Sequence, residues 1–205
     1  EATHDALDQW RNVPNIRMLE YVDDPALRMI EQRYPDVPKA ARAALIMEQI
    51  IESEADIDAW AKRLEETGAM EAESWFGSSD FDRERFRKFR HALPEAVNDA
   101  VRRNGFLKLG SDYAVPVARN GDMMAFYRAV LDARFPGKYV VFGHIGDGNL
   151  HVNVMKPEHM EKAEFLAHAK KSDVHMFELV KKHHGSISAE HGVGLLKRDF
   201  LHYSR

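Results

Sequence analysis

The chain has 205 residues, 44% of them hydrophobic and 30% charged, with a net charge of −4, 11 histidines and no cysteine. That size and balance suit one large globular domain or two small ones, and the interspersed charge argues against a nucleic-acid or anionic-membrane surface as the main task. The lack of cysteine excludes disulfides, thiolate metal sites and cysteine nucleophiles, so any metal must rest on His, Asp and Glu.

Residues 1–20 are polar, show no clear period and start without a methionine, as the trimmed edge of a larger protein would. Asp24-Pro25 reads as a helix start, with Leu27, Ile30 and Tyr34 on one face before Pro35. Ala43 to Ile51 is a short apolar run that context makes a buried strand. Asp56 is expected to cap a helix with Ile57, Trp60, Ala61 and Leu64 on one face, ended by Gly68, and Met70 to Phe76 to return as a strand. Asp82 is expected to cap the next helix, with Phe86, Phe89 and Leu93 inward; Pro94 disturbs it, and Val97 and Val101 carry the face on to Asn104-Gly105. Phe106 to Val117 reads as extended, 122–134 as a helix with Phe126, Val130 and Leu131 inward. A long helix follows Pro157 and closes at His184-Gly185, Ile187 to Ala189 is expected to be a short strand, and Leu195 to Tyr203 helical. Two passes of strand, helix and strand predict an α+β sandwich of the ferredoxin-like kind, an antiparallel sheet with helices packed on it.

Between those helices lies Val140 to Val154: two apolar runs around Gly143-His144-Ile145-Gly146-Asp147-Gly148-Asn149, read as strand, tight loop, strand. His144 and His151 stand at the shoulders of the loop, where paired strands let two neutral imidazoles face one metal ion. Ser186-Ile187-Ser188-Ala189-Glu190-His191-Gly192-Val193-Gly194 adds a carboxylate and a third imidazole. A single histidine is more often a packing or surface residue than a ligand. The weight here comes from four such groups set among glycines, where a backbone can approach a ligand closely.

Together, Gly143 to His151 and Gly185 to Gly194 resemble the paired signature of the C-terminal domain of FAD-linked oxidases, the group of D-lactate dehydrogenase, the glycolate oxidase flavin subunit and D-2-hydroxyglutarate dehydrogenase. Weaker resemblance extends through Ser111-Asp112-Tyr113-Ala114-Val115-Pro116 and back to Leu19-Glu20-Tyr21-Val22-Asp23. The resemblance implies that residues 1–205 are a substrate, or cap, domain whose flavin-binding partner domain normally precedes it and is absent from this chain. It implies His144, His151 and Glu190 as ligands of a divalent metal, zinc, manganese or iron, and His191 as the catalytic base. It further implies oxidation of a D-2-hydroxy acid by hydride transfer to FAD. Arg90 resembles the arginine that clamps the substrate carboxylate, and otherwise reads as a solvated charge among Arg83, Arg85 and Arg87. Lys108 is the counterpart of a substrate-contacting lysine, at a spacing from Asp112 different from that of the hydroxyglutarate enzymes. Asn149 is a candidate for flavin contact and Asn153 for substrate contact, or both are turn and strand-end residues.

The glycines at 143–148 do not form the strand-to-helix fingerprint that binds a dinucleotide diphosphate, so tight FAD binding by this chain alone is not expected. No run approaches the roughly 18 apolar residues of a membrane span, and the first residues lack a signal peptide's basic start and apolar core. The chain reads as cytoplasmic, with peripheral membrane contact through an unidentified electron acceptor left open. Two other functions fit the same residues: a stand-alone His/Glu metallohydrolase, and a non-catalytic ferredoxin-like binding domain.

Overall fold

The described residues, 2–69, 73–105 and 107–204 of this computed structural model, contain one five-stranded antiparallel sheet. Its strands are β1 (Ile16–Asp23), β2 (Ala43–Gln49), β3 (Lys108–Ala114), β4 (Tyr139–Gly143) and β5 (Asn149–Met155), in the order β2-β1-β4-β5-β3. Helices pack on both faces, which confirms the expected α+β class.

Strand pleating divides the side chains between two cores. One face sends Leu19, Tyr21, Val141, Leu150, Val152 and Val154 into a large core. It is covered by α1 (Ala2–Trp10), α3 (Glu54–Glu66), α5 (Asn120–Arg134) and α6 (Lys162–Lys182), whose Leu131, Phe165, Phe177 and Val180 are essentially inaccessible. The opposite face sends Val22, Ile46 and Val140 into a second core with Leu27 and Ile30 of α2 (Asp24–Ile30) and Phe89, Leu93 and Val97 of α4 (Asp80–Arg103). Towards β5 and β3 this second face carries polar residues instead, Lys108, Asp112, His151 and Asn153, and these line a cavity.

The helix starts fall slightly before the predicted caps. Ser53 and Ser79 hold the cap positions, and Asp56 and Asp82 are the third residues, each accepting the cap residue's backbone N–H at 2.9 and 3.2 Å. This reciprocal arrangement satisfies two amides that a helix start leaves free. α4 runs through Pro94 without a break. Because proline has no N–H, the carbonyl of Arg90 loses its helical partner there.

Three expectations are corrected. β1 was not anticipated: its residues 19–23 are all buried, and the carboxylates of Glu20 and Asp23 interrupt any apolar alternation. Of the expected strand 70–76, residues 70–72 lie outside the described residues and 73–76 form no strand. Trp75 instead plugs the α2–α4 side, its ring 5.3 Å from Phe89 and 4.2 Å from the Arg85 guanidinium carbon. The strand expected at 187–189 reduces to a single bridge between Ala114 and Ser186, for a reason that lies in the site. The C-terminal segment is helical as expected, α7 (Gly194–Lys197) passing into a 3-10 turn over Arg198–Tyr203.

Candidate functional site

The β4–β5 hairpin places the first two histidines. Its loop is one 3-10 turn, Ile145–Asp147, closed by Gly148 at φ 71°. A Cβ on Gly148 would stand 1.9 Å from the Val115 carbonyl oxygen, so only glycine lets the loop lie against the chain leaving β3. Gly143, at φ 134°, leaves room for the His151 ring, whose Cδ2 would be 2.8 Å from an added Cβ. His151 pairs across the ladder with Phe142 and with Asp112, and the His144 and His151 rings meet edge to face at 5.3 Å.

The segment after the 186 bridge brings in the other two groups, and it is held by Asp112 rather than by a strand partner. Asp112 Oδ2 accepts backbone N–H groups from Ala189, Glu190 and His191 at 3.1, 3.0 and 2.9 Å. Ser188 Oγ donates at 3.2 Å, and Lys197 Nζ donates to Oδ1 at 3.0 Å. Of the residues expected to form the strand, Ile187 gives its N–H to Ser204 Oγ, Ser188 to Ser186 Oγ, and Ala189 shares its N–H between the carboxylate and the backbone carbonyl of Asp112, so the ladder stops at the bridge between Ala114 and Ser186. Burial alone would raise the Asp112 carboxyl, but the N–H of His191, the Lys197 ammonium and the N–H of Glu190 hold it down at about 2.

With that segment in place, ligand atoms of His144, His151 and Glu190 all lie within 4.8 Å of one another. His144 Nε2 is 3.0 Å from Glu190 Oε1, and its Nδ1 is 2.8 Å from Glu20 Oε1. The hydrogen bond to Glu20 raises the His144 pKa above the ordinary imidazole value. His144 thus lies between two carboxylates, with Nδ1 towards Glu20 and Nε2 towards Glu190. Burial, with the neighbouring His144 charge next, pushes the His151 pKa the other way and so favours the neutral imidazole that a metal ligand requires. Two imidazoles and a carboxylate, with a carboxylate behind the first imidazole, are the donor set of an open divalent-metal site. The residues therefore fit an ion.

The predicted residues gather around this trio in one cavity of about 720 Å³, within the range of small-molecule sites. His191 is exposed at its rim, its ring 5.7 Å from His151. Arg90 reaches in from α4, its Nη2 2.6 Å from Glu20 Oε1. The exposed Lys108 and the buried Asn153 also line the cavity, with Nζ donating to Oδ1 at 3.1 Å. Partial burial lowers the Lys108 pKa. Asn149 is not brought in: it is buried at the start of β5, does not line the cavity, and its Oδ1 has no hydrogen-bond partner among the described residues. Two site residues were missed in the sequence, Glu20 and Asp112. Both are acids inside strands with bulky neighbours, a misfit with strand propensity, and both lie in the stretches of weaker family resemblance, which assigned them no role.

Fold and site together define an α+β domain that presents a metal-type ligand trio and two cationic side chains to one cavity. The sequence matches the family described as "FAD linked oxidases, C-terminal domain" over residues 2–205. The chain belongs to that family. It is 46% identical over 96 residues to a D-2-hydroxyglutarate dehydrogenase of Stutzerimonas stutzeri, covering 46% of this chain and 21% of the relative. A D-2-hydroxyglutarate dehydrogenase of Xanthomonas citri is 37% identical over 114 residues, 55% of this chain and 24% of the relative. A putative mitochondrial D-lactate dehydrogenase of Schizosaccharomyces pombe is 47% identical over 66 residues, 32% of this chain and 12% of the relative. The matched stretches are thus a quarter or less of these relatives' lengths. Among the described residues no helix is long and apolar enough to cross a membrane.

Proposed function

We propose that this chain is the substrate domain of an FAD-dependent dehydrogenase that oxidises a D-2-hydroxy acid to the 2-oxo acid, with a divalent metal held by His144, His151 and Glu190. The supporting observation is the convergence of that trio with Arg90, Lys108 and His191 in one cavity, within a chain of the FAD-linked family. A loop of strand, 3-10 turn and strand offers no helix N-terminus to a diphosphate, so FAD is held by a separate flavin-binding domain.

His144, His151 and Glu190 would hold a divalent metal, which would supply Lewis-acid polarisation of the substrate oxygens, and FAD on the partner domain would supply a hydride acceptor for C2. Arg90 orients the 1-carboxylate through its planar fork. His191 takes the hydroxyl proton onto its imidazole, and the Asp112 cradle fixes the backbone that carries it. Lys108, its pKa lowered by partial burial and its ammonium steadied by Asn153, faces the far end of the acid. A second carboxylate there would meet a second cation, which favours a 2-hydroxy diacid such as the one in the names of the Stutzerimonas and Xanthomonas relatives.

Metal analysis of the dialysed, reloaded chain tests the centre, and turnover with a panel of D-2-hydroxy acids after joining the flavin-binding domain tests the reaction. About one ion per chain is expected, lost in His144→Ala and Glu190→Ala. An ion retained in both variants, or a loaded two-domain protein inactive on every acid of the panel, refutes the proposal.

A further inference from the structure

Glu20 is a strand carboxylate with 5% of its surface exposed, yet it contacts both halves of the site. One oxygen, Oε1, lies 2.8 Å from His144 Nδ1 and 2.6 Å from Arg90 Nη2. The weaker family resemblance around Leu19 to Asp23 assigns it no role, and the relatives' names do not point to it. Its effect on His144 follows from imidazole chemistry: a proton kept on Nδ1 leaves Nε2 as the lone-pair donor, and Nε2 is the nitrogen that faces Glu190. A carboxylate behind Nδ1 also makes Nε2 a stronger donor. Arg90 acts on the same oxygen in the opposite sense. Its guanidinium draws electron density from Oε1 and weakens the pull on the His144 proton. When Arg90 turns to a substrate carboxylate, that density returns to His144.

We propose that Glu20 is a positioning residue that couples the substrate clamp Arg90 to the metal ligand His144 through one shared carboxylate oxygen. The inference rests on the assignment of His144 as a ligand, and it goes beyond that assignment in making clamp and ligand interdependent. Coupling of this kind is reciprocal: what Arg90 does to metal affinity, the metal does to the availability of Arg90. It predicts opposite signs for the two substitutions. Glu20→Gln keeps size and an acceptor oxygen but removes the charge, and weakens the metal about 10- to 100-fold, the usual effect of removing an outer-shell partner. Arg90→Met frees the oxygen for His144 and tightens the metal severalfold in the absence of substrate. With Gln at position 20 the Arg90→Met gain shrinks to what removal of a nearby positive charge gives by itself.

The test uses the 205-residue chain, as wild type, both single variants and the double variant, with cobalt(II) affinity measured by chelator competition. Imidazole NMR of the metal-free proteins is recorded at a pH above the His144 pKa, and thermal midpoints report that each variant is folded. The expected spectra show the His144 proton on Nδ1 in wild type and in Glu20→Gln, and its resonance moving downfield in Arg90→Met as the bond to Glu20 strengthens. Equal cobalt affinity in wild type and Glu20→Gln, or an Arg90→Met effect of the same size in both backgrounds, overturns the proposal. So does a His144 proton found on Nε2, or an Nδ1 proton resonance unmoved by Arg90→Met. The NMR readings need no metal: if wild type binds no cobalt, the metal assignment fails on its own, while the link between Arg90 and His144 is still decided by the spectra.

Discussion

Asp112→Asn removes the charge at the centre of the cradle while preserving its shape. In wild type one carboxylate, 3% exposed as a residue, serves three backbone amides, the Ser188 hydroxyl and the Lys197 ammonium. Charge-assisted bonds are each worth about 1.5–3 kcal/mol net, but five on one group are not additive, and the asparagine carbonyl keeps some of them. What asparagine cannot keep is the Lys197 pair, because its amide nitrogen is a donor facing a donor. Removing one partner of a buried pair costs about 3–5 kcal/mol. At about 2–4 °C per kcal/mol, that amounts to a fall in melting temperature of about 6–20 °C if the cradle opens only with the whole fold. If it opens locally, amide exchange at residues 189–191 accelerates by two or more orders of magnitude with a smaller melting shift, and metal affinity falls because Glu190 is released. Hydrogen exchange by NMR, run beside thermal melts, separates the two cases. Unchanged exchange at 189–191 together with an unchanged melting temperature would refute the account of Asp112. The pH dependence gives a second check: the folded carboxyl sits at about 2, below its ordinary 3.8, so its stabilisation is complete above about pH 4 and is lost as pH falls through 2. The Asn variant should lack that part of the acid limb.

Gly148→Ala forces a Cβ into the Val115 carbonyl at a positive φ and should destabilise by about 3 kcal/mol or more, read as a lowered denaturant midpoint at constant slope. Gly143→Ala should instead act on the ligand, pushing the His151 ring aside and weakening metal binding by more than it lowers stability. Asp23 accepts the N–H groups of Ala26 and Val141 at 2.9 and 2.7 Å, and burial pushes its carboxyl up to about 7. Its contribution is therefore full below about pH 4 and declines as pH rises towards 7, and urea midpoints of Asp23→Asn should not show that decline. Lys108→Met, assayed in the two-domain protein, should raise KM for a 2-hydroxy diacid about tenfold or more while leaving a monocarboxylic acid nearly unaffected, since one charge-assisted contact is worth about 1.5–3 kcal/mol. Equal effects on both acids would remove Lys108 from the specificity argument.

The hairpin at 139–155 and the segment at 185–194 were legible because their chemistry is local: glycines where backbones touch, and histidines at loop shoulders. The two acids behind them were not. Glu20 and Asp112 act across 124 and 79 residues of chain, on His144 and His191, and no local pattern marks a carboxylate whose partners are brought together only by the sheet. β1 was hidden for the same reason, since its buried acids make it read as an irregular polar stretch. The strand expected at 187–189 failed because its amides go to the Ser204 and Ser186 hydroxyls and to Asp112, and 73–76 because Trp75 is spent on the aromatic contacts of α2 and α4. The helix face set by periodicity was recovered in α4; in α3 Trp60 and Leu64 are buried but Ile57 and Ala61 face solvent, and in α5 Leu131 is buried with Phe126 and Val130 only partly so.

The pleat of β5 has a consequence for how such a domain can change. Leu150, Val152 and Val154 belong to the core, while His151 and Asn153, one residue out of phase with them, face the cavity. Structural and chemical duties are thereby interleaved along one strand without being shared by any residue. A change of side chain at Lys108 or Asn153 therefore alters the cavity wall while the Leu150, Val152 and Val154 contacts of β5 with the core are kept.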